Sequence, residues 1–181
     1  MTGAGAAFLA IPEAVVLGLI AAGAGRRICR RLLPDAAPLD GAVLGFPLGM
    51  SLLSLLVAGL LFGRVPAIAL PFVLGLVLVA AAAWAREEAI ETVGDLRDFA
   101  RESPCLAVVV GLSGLLGLIG AMAPETGWDT GVYHFAMARL RAEQGGMIVR
   151  PDVPHGYRPA YFESLHTLGF LLNGETLASL I

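Results

Sequence analysis

The chain has 181 residues, of which 57% are hydrophobic and only 15% charged, with a mean hydropathy of +0.78. Soluble domains carry about 25% charged residues. A water-soluble fold of this size has no interior large enough for so much apolar surface, which excludes an ordinary globular domain and points to a polytopic membrane protein. The net charge is −3, every basic residue is arginine, and no basic tract of the kind that binds nucleic acid is present.

Four apolar stretches are long enough to cross a bilayer, which takes about 20 helical residues. They run over residues 5–25, 41–62, 67–85 and 104–123. A weaker fifth stretch starts near Ala160 and reaches Ile181. Lipid offers the backbone no hydrogen-bond partner, so each span is expected to be helical. The sequence "RRICRR" (26–31) follows the first span, and Arg86, Arg97 and Arg101 separate the third from the fourth. If the spans alternate, both regions fall on one side, which the positive-inside rule makes cytoplasmic. The N-terminus and the 124–160 segment are then outside, on a multi-pass protein of the inner (plasma) membrane. The first span lacks a basic leading region, which argues for an N-out anchor rather than a cleaved signal. Cys29 and Cys105 both fall on the cytoplasmic side, and without a clustered His they read as packing residues rather than a disulfide or zinc site. Glu13, beside Pro12 within the first span, is a functional candidate by default, but its place near the outer end favours a structural role.

The stretch "REEAIETVGDLRDFARES" (86–103) is charged and amphipathic, with Ile90, Val93, Leu96 and Ala100 at helical spacing. It predicts a cytoplasmic surface helix lying on the membrane.

The chain changes character at "PETGWDTGVYHFAMARLRAEQGG" (124–146). Pro124 ends the fourth span and Asp129 stands where an N-cap belongs. Val132, Phe135, Ala136 and Leu140 share one face of the predicted helix. Arg139 and Glu143 can pair at i,i+4, and Gly145 and Gly146 stop it. This predicts an amphipathic helix at the outer interface. The segment "MIVRPDVPHGYRPAYF" (147–162) is Pro-rich and reads as a loop, with Tyr157 and Tyr161 suited to the headgroup level. Taken singly, Asp129 could be only a cap, Trp128, Tyr133 and Tyr157 only an aromatic belt, and His134 only an interfacial donor. Together, the carboxylates Glu125 and Asp129, with Tyr133 and His134 one turn on and Arg150, His155 and Arg158 in the same loop, form an acid/base set beside a cationic set. Such a set suits a carboxylate that takes a proton from a hydroxyl while cations stabilise a departing phosphate. Asp129, His134 and His155 could also serve as metal ligands, but no HxxxH or HExxH spacing supports them. No metal site is assigned, although a divalent cation that helps to hold a phosphate is compatible with the chemistry.

The residues "GWDTGVYHFAMARLRAEQGGMIVRPD…YRPAYFESLHTLGFLLNGE" resemble the first large outer loop of GT-C-type membrane glycosyltransferases, the superfamily of protein-mannosyl and aminoarabinose-lipid transferases. Trp128, Asp129, Tyr133, His134, Gly146, Ile148, Pro159 and Glu163 follow in order the pattern W-D-x-x-x-Y-H, G-x-I and P-x-x-x-E, over about the last third of the chain. The resemblance implies transfer of a sugar from a polyprenyl-phosphate donor to an acceptor on the outer face. Asp129 would be the base, with Glu125 as its alternate, and Tyr133, His134, Arg150, His155, Arg158 and Glu163 would bind substrate. In well-studied members the loop follows the first span, whereas here three further spans precede it. The apolar run open at "LASLI" implies the N-terminal part of a larger enzyme.

The expected architecture is an all-α, polytopic transmembrane helical bundle. Residues 1–123 supply four spans, 124–160 the outer loop with its interfacial helix, and 161–181 the start of a fifth, truncated span. A non-enzymatic membrane scaffold or assembly partner is the alternative. A transporter ranks last, because ionisable residues other than Glu13 are nearly absent from the spans.

Overall fold

The computed structural model describes residues 3–34, 38–122, 134–148 and 161–181. Among these the chain is all-helical, in eight helices: α1 Gly3–Leu32, α2 Pro38–Phe62, α3 Leu70–Trp84, α4 Arg86–Glu102, α5 Pro104–Met122, α6 Phe135–Gln144, α7 Tyr161–Leu172 and α8 Glu175–Leu180. Three stretches are long and apolar enough to cross a membrane: Leu9–Leu32, Val43–Phe62 and Pro104–Ala121. None of the last span's residues is buried within the described protein; Leu112, Leu116 and Ile119 are 56–69% exposed. A helix apolar all round and so little covered is consistent with a hydrocarbon solvent.

The third apolar stretch differs from expectation. It forms a helix of only 15 residues, about 22 Å long, short of the ~30 Å hydrocarbon core. At Ala85, whose φ of −101° and ψ of 9° are not helical, the chain bends by 66° into α4. The cause lies in the side chains around the bend. Arg27 donates to the Trp84 carbonyl at the end of α3, stands 4.9 Å over the Trp84 ring and pairs with Glu88 at 3.3 Å. One guanidinium thus caps one helix and anchors the next.

The chain divides into two compact units. One comprises Val15–Leu52 and Val77–Gly120. Here α1 and α2 touch through small residues: a Cβ added at Gly25 would overlap the Gly45 backbone, and one at Gly49 the Ala21 backbone. Such small-residue crossings let membrane helices approach backbone to backbone. Beyond the crossing, Arg26 is 2% exposed and bonds Asp95 at 2.5 Å and Thr92 at 3.5 Å, while Arg30 pairs with Glu91. The arginines of "RRICRR" therefore hold the acidic face of α4. Cys29 is buried, Cys105 is exposed, and both are free thiols.

The other unit comprises Met1–Ala14, Leu53–Leu76 and Ala121–Ile181. Its core gathers Val57 and Leu61 of α2, Leu70 and Leu74 of α3, and Phe135, Ala138, Leu168 and Leu177 of the later helices. Where one continuous helix is expected after residue 160, the chain makes two. Asn173 and Gly174 both donate their N–H to the Gly169 carbonyl at 2.9 Å. Gly174 takes φ 84° and ψ −156°, a region essentially closed to side-chain-bearing residues. The Asn-Gly pair thus breaks the apolar run, and α8 folds back so closely that a Cβ on Gly169 would overlap Ala178. At the break, the Asn173 amide donates to the Glu13 carboxylate at 2.8 Å. This gives the acid within the first candidate span the polar partner that a structural role requires.

Candidate functional site

The α6 helix starts at Phe135 and ends as its glycine predicts. Gly145 is left-handed (φ 68°) and returns its N–H to the Arg141 carbonyl. A Cβ there would also overlap the Ala67 backbone, and the Met147 N–H reaches the Leu61 carbonyl at 3.1 Å. This glycine therefore both closes the helix and seats it against the 63–67 turn. Arg139 and Glu143 pair at 2.9 Å across one turn, on the exposed side.

The apolar residues grouped on one face of α6 are not all packed inside the protein. Phe135, Met137, Ala138 and Arg141 are buried, Ala136 and Leu140 are only half-buried, and Val132 lies outside the described residues. The spacing 135, 138, 141 is itself helical, so it puts Arg141 on the packed face. Arg141 is 1% exposed. Among the described residues its Nε and one terminal nitrogen have no hydrogen-bond partner. Burial pushes the guanidinium below its usual range, and the nearby Glu163 charge opposes that shift.

Facing this helix is α7. Glu163, in its first turn, meets His134 Nδ1 at 2.7 Å, its side chain 16% exposed against 40% for the imidazole. One α7 turn later, the His166 ring stands edge-on to Phe135 at 5.1 Å, and its Nδ1 is buried without a hydrogen-bond partner among the described residues. Phe170 closes the other side of Phe135 at 5.6 Å. Thr167 bonds back to the Glu163 carbonyl at 2.7 Å, which fixes the turn that carries the carboxylate.

Two of the sequence-predicted site residues, His134 and Glu163, are thus brought together from positions 29 apart. Asp129, Glu125, Tyr133, Arg150, His155 and Arg158 lie outside the described residues. Sequence reasoning missed Arg141 and His166. The periodic face of α6 was the available signal for the first; the second carried none beyond its position one turn after Glu163.

Chemically, an ionised Glu163 accepting from Nδ1–H fixes the imidazole tautomer and leaves the proton-transfer role to Nε2. Arg141 adds positive charge beside that carboxylate. Among the described residues no group of three or more His, Cys, Asp or Glu is placed to hold a metal ion. A cleft of about 470 Å³ in the same unit is lined by Arg139, Glu143, Phe170, Gly174 and Glu175. The other unit holds an apolar cavity of about 570 Å³, whose one carboxylate, Asp95, is already held by Arg26.

Comparison with family models, with curated proteins and with solved structures finds no match to this chain.

Proposed function

We propose that the chain belongs to a membrane glycosyltransferase that moves a sugar from a polyprenyl-phosphate donor to an acceptor on the outer face of the membrane. The observation that carries this reading is the contact between His134 and Glu163. Each stands at its own place in the pattern that runs from Trp128 to Glu163, with 28 residues between them. Their meeting is what a loop folded around one reaction centre requires.

In this reading Asp129 takes the proton from the acceptor hydroxyl, with Glu125 as the alternate base. The His134–Glu163 pair and Tyr133 position the substrate. Arg150, His155 and Arg158 neutralise the phosphate as it leaves, and a divalent cation could share that task. Three membrane-spanning candidates are compatible with a loop that works at the bilayer surface, where a lipid-linked donor would reside. The arginine distribution puts that surface outside, opposite the "RRICRR" side.

The test is transfer from a labelled polyprenyl-phosphate sugar in membranes that contain the protein. Asp129→Asn is expected to abolish transfer while leaving membrane insertion intact, and Asp129→Asn at full activity would sink the assignment. No transfer from any such donor, together with assembly defects on changing Tyr157 or Tyr161, would favour the scaffold instead.

A further inference from the structure

The α4 helix has two unlike faces, and only one of them is occupied. Glu88, Glu91 and Asp95 recur at helical spacing and are held by Arg27, Arg30 and Arg26. These contacts fix the rotation of α4 about its own axis. Arg86, Ile90, Val93, Arg97 and Arg101 recur at the same three-to-four-residue spacing and turn away from α1. All five are exposed, with Ile90 at 61% and Val93 at 50%. Glu87 and Asp98 flank this face, and Asp98 lies only 3.8 Å from Arg101 across exposed surface, a weak pair. The helix follows a 66° bend from α3 and leads directly into the bare span of α5.

We propose that this second face of α4 binds the anionic phospholipid headgroups of the leaflet it rests on. Ile90 and Val93 dip into the acyl boundary, and Arg86, Arg97 and Arg101 reach the phosphates. Charge complementarity carries the argument. Three acids of α4, Glu88, Glu91 and Asp95, are neutralised within the fold. Glu87 and Asp98 stay exposed between the two faces, and Glu102 stays exposed at the end of the helix, whereas the three arginines on the opposite side share their face with apolar residues. Arginine stems lie along apolar surface while the guanidinium stays at headgroup level, and each arginine near such a surface adds attraction. The proposal rests on the chain being embedded in a bilayer and is independent of any transfer activity.

Trp84 stands next to α4 and can report on it. The full chain carrying Trp128→Phe, so that Trp84 is the single tryptophan, is reconstituted in vesicles containing brominated phosphatidylglycerol or brominated phosphatidylcholine at equal mole fraction. The expected result is stronger quenching by the anionic lipid, on the order of two-fold, that shrinks as salt rises. Adding Arg86→Gln, Arg97→Gln and Arg101→Gln together is expected to remove at least half of the preference, the remainder coming from Arg31, 6.0 Å from the Trp84 ring. Equal quenching by the two lipids, a preference indifferent to salt, or one that survives the triple substitution overturns the proposal. The salt series needs no variant, so the proposal stays testable even if the triple substitution impairs insertion.

Discussion

Among the described residues two arginines are buried, and they are paired to different degrees. Arg26, on α1, reaches Asp95 and Thr92, with Glu91 at 3.5 Å. Arg141, on α6, is buried as deeply, but among the described residues two of its nitrogens have no partner, against the Nε alone in Arg26, and Glu163 acts on it as a nearby charge. Bringing a guanidinium out of water costs several kcal/mol unless good geometry offsets it. At Arg26 the offset is visible, and the result is a clamp between two helices. At Arg141 it is less complete among the described residues. Its charge is close enough to Glu163 to be felt by it, and under the proposed transfer reaction it would serve that site. The two thus differ in degree, and the better-paired one is the one that clamps two helices.

The sharpest way to break the first half of this contrast is Asp95→Ala. It removes the closest partner of a buried cation, for which losses of about 3–5 kcal/mol are typical. The expected destabilisation is near the low end, about 3 kcal/mol, because Glu91 remains within reach. Denaturant titration of the detergent-solubilised protein measures it, and an unchanged midpoint would mean that the clamp does not hold α4 to α1.

A smaller loss is expected from Gly49→Val, which leaves every charge in place. The added side chain runs into the Ala21 backbone, and overpacking of this kind costs about 1–3 kcal/mol. If the crossing of α1 and α2 is what delivers Arg26 to α4, Gly49→Val and Asp95→Ala together will lose less than the sum of their separate effects. Strict additivity would separate the two features.

Smaller again is Asn173→Leu in the other unit. It removes the hydrogen bond to Glu13, worth roughly 1 kcal/mol as a neutral contact and somewhat more to a carboxylate. Glu13→Gln keeps an acceptor for Asn173 and is expected to lose about half as much or less. Equal losses in the two variants would show that the charge of Glu13, rather than the bond, is what matters.

Much of this organisation was legible in the sequence. The apolar runs of α2 and α5 are long and uninterrupted, so composition alone indicated helices able to cross a bilayer. The stop at Gly145 and the Arg139–Glu143 pair are local rules that tertiary packing left alone. Features set by contacts between distant segments were not legible. The shortness of α3 depends on Arg27 meeting the Trp84 carbonyl, and no periodicity announces a contact 57 residues away. The break between α7 and α8 had a local signal in Asn173-Gly174, but the apolar residues on either side outweighed it. For α6, the apolar residues alone do not define the packed stripe, which carries an arginine in place of Leu or Met. At the candidate site, the pattern gave His134 and Glu163 their places in order, and only the fold showed that they touch.

The smallest expected change in stability, and the one that tests the second half of the contrast, belongs to Arg141→Met. Methionine can fill the volume of the arginine stem and brings no charge to desolvate, and replacing buried ionic groups with apolar ones of similar size is often neutral or stabilising by about 1–4 kcal/mol. Arg141 has the less complete set of partners to lose, so the midpoint in denaturant is expected to stay where it is or rise by about 1 kcal/mol. Arg26→Met should fall by about 2 kcal/mol, because Asp95 and Glu91 are left without their cation, though both reach water. Activity should run the other way. In the transfer assay Arg141→Met is expected to lose at least about ten-fold, a change of about 1.4 kcal/mol in the barrier, and Arg26→Met to lose no more than its reduced folded fraction explains. If Arg141→Met instead unfolds the protein as readily as Asp95→Ala does, Arg141 is a packing residue with a partner at hand, and the difference between the two buried arginines disappears.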